Sequence, residues 1–530
     1  MNHQHDSQDL HTTDTIDSTE TIDQGRRRVL LLGMFGAVGT SAAAFGLLPK
    51  NLLADSLPAS TATAPLKEPI VFASSGGTLQ ATLRATTKAT SVAGQLISGT
   101  MTYNGHYPGP TLQVKPGDHI LLKVHNNLDL TAAAAPNPHP GATHNHATAM
   151  TVPPANTLNT HFHGMHVSPL PKADDIYLAT PFGGSYDYDF QIPANHPGGL
   201  YWYHPHVHGV VDNQIYAGLA GLLVVEGGAA QIPALQGARK RLMALKNIAI
   251  ANGALATGVA PADQLHTLNG QLAPSIGIHP GETQLWQVAN IGNEPYYKLS
   301  LDGHRFTVVA EDGAMLWESY TTDTLLVPPG KRFEFTVTGG KAGSYAFRTL
   351  GYNSGPFGDW RAAQLATMVV AGKLDTPRTV PVQLDEPPAY LTGPIVKRRY
   401  LRFSEGFDLS TNTPYFDING KTFEALRNGA QVKLGTTEEW LIYNDSNRSL
   451  NEGGVAEDHP FHIHVNSFIV TEIDGMPVKA YGTQDVVNVL PGQKILIRMA
   501  FPDFIGKSVF HCHILFHEDN GMMANFEIVP

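Results

Sequence analysis

The sequence predicts an all-β protein built from three tandem β-sandwich modules, and three observations carry that prediction. Glycine and proline number 52 and 37 in 530 residues, which suits short strands joined by turns better than helices. One pattern occurs three times: an Asn-Gly turn, a strand, a Gly turn and a second strand that ends in Asn. Further along each copy comes a turn followed by an alternating strand, so each repeat reads as a sandwich of its own.

Length and charge set the outer limits. At about 150 residues per domain the chain holds three or four domains. Lysine plus arginine against aspartate plus glutamate is 35 against 46, a formal charge of -11. The balance is acidic overall, so nucleic acid is not an expected partner. A single cysteine, Cys512, excludes an intrachain disulfide framework and turns attention to its chemistry.

Residues 1–54 read as a leader. The first 25 are polar and acidic, with Asp6, Asp9, Asp14, Asp17, Glu20 and Asp23, too polar to bury a core. Arg26, Arg27 and Arg28 then precede Val29, Leu30 and Leu31 and an uncharged stretch to Leu48. Paired arginines before an apolar run resemble a twin-arginine export signal, which makes the export machinery a partner and the periplasm, or another exported location, the destination. The stretch is about long enough to be a membrane anchor instead. Its Gly, Ala and Ser content favours export, with cleavage expected after Ala54 or Ala59. Losing six acids and four bases (Arg26, Arg27, Arg28, Lys50) takes -11 to -9, so the mature chain stays acidic. No stable membrane partner is expected after processing.

The repeats follow. Tyr103 to Asn126, Leu268 to Asn290 and Ile418 to Asn444 carry the Asn-Gly pattern. Their later strands are GGLYWYHPHVHG, AGSYAFRTLGY and GKSVFHCHILFH. The modules are placed at 65–228, 245–372 and 397–530, as antiparallel sandwiches, with a Pro-rich second linker, LDTPRTVPVQLDEPPAY, that reads as extended.

Four His-x-His pairs stand out: His161/His163, His204/His206, His462/His464 and His511/His513. Side chains at i and i+2 of a strand share a face, roughly 6.6 Å apart. Each pair therefore aims two imidazoles the same way, and eight nitrogens suit a cluster of three coppers better than one ion. Cys512 lies between His511 and His513 and must face the opposite side of its strand, toward a second site. A thiolate with two imidazoles and a distant thioether is the preferred set for a blue copper centre; His459, His517 and Met522 can complete it. Structural zinc, tetrahedral, does not call for eight histidines. Where the outer modules carry His204-Pro205-His206 and His511-Cys512-His513, the middle one has Phe347-Arg348-Thr349. The cluster is thus expected between the first and third modules, with the second as a spacer.

Over residues 65–530 these motifs resemble the multicopper oxidases, specifically laccase-like bacterial members. The resemblance implies three cupredoxin-like Greek-key domains and four coppers per chain. It implies type 1 copper on His459, Cys512, His517 and Met522, type 2 on His161 and His462, and a type 3 pair on His163, His204, His206, His464, His511 and His513. Pro205 stands where Ser or Ala is common in the family. Reducing dioxygen to water consumes protons; Glu518, beside a type 1 ligand, and Asp174 or Asp175, downstream of His163, are the candidate catalytic acids.

The resemblance implies oxidation of phenols or aromatic amines, with electrons entering at an exposed edge of His517 and dioxygen as acceptor. A metallo-oxidase of Cu(I), Fe(II) or Mn(II) is the alternative reductant reading, although the twelve methionines are scattered rather than clustered. A copper-sequestering scaffold is expected to lose ligands, and copper nitrite reductase lacks the four-pair set. His139, His144 and His146 lie in an insertion that reads as flexible or as a further copper site; His166 and His208 border the motifs as possible supporting groups.

Overall fold

A computed structural model describes residues 64–130, 153–410, 413–424, 427–446 and 453–530. The leader and the His139/His144/His146 insertion lie outside the described residues. Among the described residues no helix is long and apolar enough to cross a membrane.

The chain is nearly all β, half of it strand, arranged as three pairs of sheets. In the first pair a five-stranded sheet runs Val71–Ala73, Gly109–Val114, Gly221–Val225, Gly199–His204, His161–His163. It packs on Met101–Tyr103, Thr78–Thr87, His119–Asn127 and Ser185–Gln191 through Leu83, Leu112, Phe162, Tyr188 and Leu223. The second pair centres on Trp286, Phe306, Phe335 and Phe347. In the third, a five-stranded sheet runs Ala430–Lys433, Met523–Val529, Gly506–Cys512, His459–Ile463, Val486–Val489. Its core holds Trp440, Phe461, Phe510 and Phe526 together with Cys512 and Met522. Burying each such side chain contributes about 1.5–3 kcal/mol, and the lone cysteine is part of that buried core.

The threefold sequence repeat is a threefold repeat of hydrogen bonds. Asn104, Asn269 and Asn419 adopt φ of 55°, 51° and 57° ahead of Gly105, Gly270 and Gly420, a left-handed pair that Asn-Gly accommodates. Each Asn Oδ1 accepts a backbone N–H from the module's first long strand: from Arg84 at 2.6 Å, Ala244 at 2.7 Å and Arg402 at 2.8 Å. The Asn that ends each second strand is a buried clasp. Asn444 Nδ2 donates to the carbonyls of Glu457 and Val489 at 2.8 and 2.9 Å, which pins the chain just before His459. Asn126 and Asn290 do the same in the other modules.

Two expectations need correction. The sandwiches are not purely antiparallel: Gly109–Val114 runs parallel to both of its neighbours, and Thr78–Thr87 to His119–Asn127. Strand alternation reports burial, not direction, and the long connections of the fold allow parallel neighbours. The second module also begins before residue 245, because Lys240–Ile248 pairs along Thr283–Asn290 from Lys240 onward. The two 3₁₀ turns Gly228–Gln231 and Pro233–Leu235 shorten the connection.

An apolar plug joins all three modules. Leu200, Trp202, Val211 and Ile215 of the first meet Leu242, Ala244, Ala289 and Ile291 of the second and Leu515 of the third. Leu515 opens the short helix Leu515–Asp519, so the plug fixes the segment that carries His517 and Glu518.

Candidate metal centre

Strand pairing brings the four His-x-His motifs together. His161 lies opposite His204 in the first module, and His462 opposite His511 in the third. Within each pair the two rings lie side by side, 5.6, 5.7, 5.1 and 5.6 Å between centroids in chain order. The modules then interleave: His161 stacks on His464 at 3.8 Å and His163 on His462 at 3.9 Å. All eight rings are buried.

The ring nitrogens sort into an inner and an outer set. Inside, His206 Nε2 and His464 Nε2 each lie 3.2 Å from His511 Nε2, and His513 Nε2 lies 3.2 Å from His163 Nδ1. Nε2 of His161, His204 and His462 has no hydrogen-bond partner. Outside, most of the rings are held. His161 Nδ1 is 2.9 Å from both oxygens of Asp174, and Asp174 Oδ1 also accepts the Phe162 N–H at 2.8 Å. His204 Nδ1 reaches the Pro205 carbonyl at 2.8 Å, His462 Nδ1 the Asp485 carbonyl at 2.9 Å and His511 Nδ1 the Cys512 carbonyl at 2.9 Å. Three groups have their ligand atoms within 4.8 Å: His161/His163/His462, His163/His204/His513 and His206/His464/His511. Outer bonds that fix the tautomer while inner nitrogens stay bare are what metal-binding imidazoles require.

Electrostatics agrees. Burial, followed by the neighbouring imidazoles, drives His161, His206, His464 and His513 well below the usual histidine range, and burial takes His204 to about 3. Neutral rings present lone pairs to a cation rather than competing protons. Burial raises Asp174 to about 7.

A second set lies on the other face of strand Gly506–Cys512. Cys512 Sγ is 3.6 Å from His459 Nδ1 and 3.7 Å from His517 Nδ1, and the three fall within 4.8 Å. Met522 is buried in the same core and locked by its backbone, accepting the Cys512 N–H at 3.1 Å and donating to the His517 carbonyl at 2.9 Å. Met523 packs elsewhere, with Ile176, Phe423 and Val509. The donor sets fit copper: a thiolate-imidazole group on one face, an all-imidazole array on the other.

Of the candidate acids, Glu518 faces the cluster, its oxygens 3.4 Å from His206 Nδ1 and 3.0 Å from His511 Nδ1. Asp174 reaches it through His161, whereas Asp175 turns away to accept the Tyr177 N–H. His166 bonds outward to Val465 and Asp503, and His208 packs on Phe423.

Three residues escaped sequence reasoning. Glu405 Oε2 lies 3.8 Å from His459 Nε2 and 3.7 Å from His517 Nε2, behind the thiolate site. Asp485 and Arg332 line the cluster beside His163. Only Arg332 had a sequence signal, two charges, Arg332 and Glu334, in a strand otherwise fit for a core. The exposed edge expected for His517 is absent: the residue is 4% exposed, its Nε2 faces Glu405 and Phe416 stacks on its ring at 4.9 Å.

Comparison with known proteins agrees with this arrangement. Multicopper oxidase family models match residues 84–135 and 142–230, 240–370 and 399–530. A multicopper oxidase of Staphylococcus haemolyticus is 27% identical over 84% of this chain and 88% of its own length. A laccase of Bacillus subtilis is 25% identical over 80% and 89%. Among solved structures, a metallo-oxidase from Campylobacter jejuni superposes with a TM-score of 0.71 at 23% identity, covering 91% of this chain and 98% of that one. A laccase from Pediococcus acidilactici gives 0.72 at 22% identity, covering 89% and 95%. With family models spanning most of its length and buried histidine groups compatible with copper, this chain belongs to the multicopper oxidase family and is a copper-dependent oxidoreductase that uses oxygen.

Proposed function

We propose that the chain couples one-electron oxidation of phenols or aromatic amines, as a laccase does, to four-electron reduction of dioxygen to water. The observation that carries this reading is the strand Gly506–Cys512, which presents Cys512 to one donor set while His511 and the adjoining His513 belong to the other. His459, Cys512, His517 and Met522 would hold the type 1 copper. His161 and His462 would hold type 2, and His163, His204, His206, His464, His511 and His513 the type 3 pair. When bound, copper supplies one-electron acceptance at the first set and dioxygen reduction at the second. The peptide of Cys512 joins the two, Asp174 holds His161 in its ligating tautomer, and Glu518 can hold a proton at the oxygens facing His206 and His511.

A copper-loaded sample is expected to hold about four coppers per chain and to take up one dioxygen for every four one-electron equivalents without releasing peroxide. Stoichiometric peroxide would overturn the four-electron reading.

Glu405 favours a second reading, a metallo-oxidase, because its carboxyl lies against both type 1 imidazoles and Glu457 and Asp458, next to His459 in the chain, are also buried, an acidic set that suits a cationic reductant. Steady-state rates for a phenol, an aromatic amine, Cu(I), Fe(II) and Mn(II) on one sample separate the two. Metal-ion rates that lead the series and collapse in Glu405→Gln would establish the second.

Export is proposed to use the twin-arginine route. Replacing Arg26 and Arg27 by lysine is expected to leave oxidase activity in the cytoplasm; unchanged activity in the cell envelope would require another route.

A further inference from the structure

The second module supplies no ligand, yet its Arg332 reaches the ligands of the other two. We propose that Arg332 and Asp485 form a clamp that fixes the orientation and the ligating nitrogen of His163 and locks the three modules in register around the cluster. Arg332 is fully buried, and its fork is two-pronged, Nη1 to Asp485 Oδ1 at 2.6 Å and Nη2 to Oδ2 at 2.7 Å. Its Nε donates to the Leu200 carbonyl of the first module at 3.2 Å. Asp485 Oδ1 in turn lies 3.2 Å from His163 Nε2 and 3.6 Å from His462 Nδ1.

The clamp explains an asymmetry in the cluster. A carboxylate paired with a guanidinium only accepts, so His163 Nε2 carries the proton and Nδ1 keeps its lone pair. That Nδ1 is the atom facing His513 Nε2, whereas the inward nitrogens of the other seven rings are Nε2. Asp485 is fixed from behind as well. Asp312 Oδ2 accepts its N–H and that of Val486, both at 3.0 Å, along with Lys331 Nζ at 2.9 Å. Two glycines make the room. A Cβ on Gly164 would overlap Arg332 Nη2 and Asp485 Oδ2, and one on Gly330 would lie 2.8 Å from His513 Cδ2 and 3.0 Å from His163 Cε1. The middle module is therefore a positioning element for the cluster and not the spacer its lack of ligands suggests.

The inference rests on the copper assignment proposed above, and the blue absorption of the Cys512 site reports that assignment separately. Arg332→Lys keeps the charge but loses the fork; Asp485→Asn keeps the size but loses the obligate acceptor. Both are to be compared with the wild-type holoenzyme by chelator competition for copper and by the electron paramagnetic resonance of type 2 copper. Blue absorption is expected to persist, while cluster copper affinity falls about 10- to 100-fold and the type 2 signature changes. Wild-type affinity and signature in both variants would overturn the proposal. So would loss of the blue absorption along with the cluster in both, which would make the pair a general fold element.

Discussion

Replacing Cys512 by serine is expected to abolish blue absorption and bring substrate oxidation to background while the three-copper cluster stays loaded. The sulfur faces the thiolate site, 3.6 and 3.7 Å from His459 and His517; His511 and His513 sit among the other imidazoles. A hydroxyl is a poor substitute for a soft thiolate. Copper analysis and absorption spectra decide the outcome. A blue, active variant would refute the wiring, and loss of all copper would show that the two sites do not load separately.

Glu518→Gln is expected to lower turnover by about 10²- to 10⁴-fold while leaving copper content and colour intact. Glu518 is fully buried, and its two oxygens face a histidine from the first module and one from the third. A glutamine fills the same space but cannot carry the proton. Asp174→Asn gives the contrast. It removes a carboxylate that holds His161 through both oxygens, so weakened copper binding at His161 should precede any effect on rate. If Glu518→Gln turned over at the wild-type rate with reductant in excess, proton delivery would have to be sought elsewhere.

What could be read from the chain and what could not divides along sequence separation. The Asn-Gly turns, the alternating strands and the His-x-His pairs are local, and each has a physical meaning within a few residues. The twelve proposed ligands were therefore legible as candidates, and so was the opposed facing of Cys512, since a strand turns successive side chains to opposite faces. Strand direction was not, because parallel pairs such as Thr78–Thr87 with His119–Asn127 depend on connections that leave no local mark. Glu405 sits in an unremarkable strand, and its significance comes from His459 and His517, more than fifty residues away in the chain. Arg332 and Asp485 are 153 residues apart and belong to different modules. Asp174 and Glu518 fall between these cases: proximity to a motif suggested them, but only packing separates Asp174 from Asp175.

The interleaving of the first and third modules also sets a timetable for synthesis. His163 and His513 are 350 residues apart, and at ~5–20 residues per second a ribosome separates them by about 20–70 s. Throughout that interval His161, His163, His204 and His206 can be displayed on a folded first module with half their partners unmade. Copper captured then would meet an incomplete ring of nitrogens and remain exchangeable. Durable metallation has to wait for the last few dozen residues, which bring His511, Cys512, His513 and His517 together with the strand that closes the third sandwich.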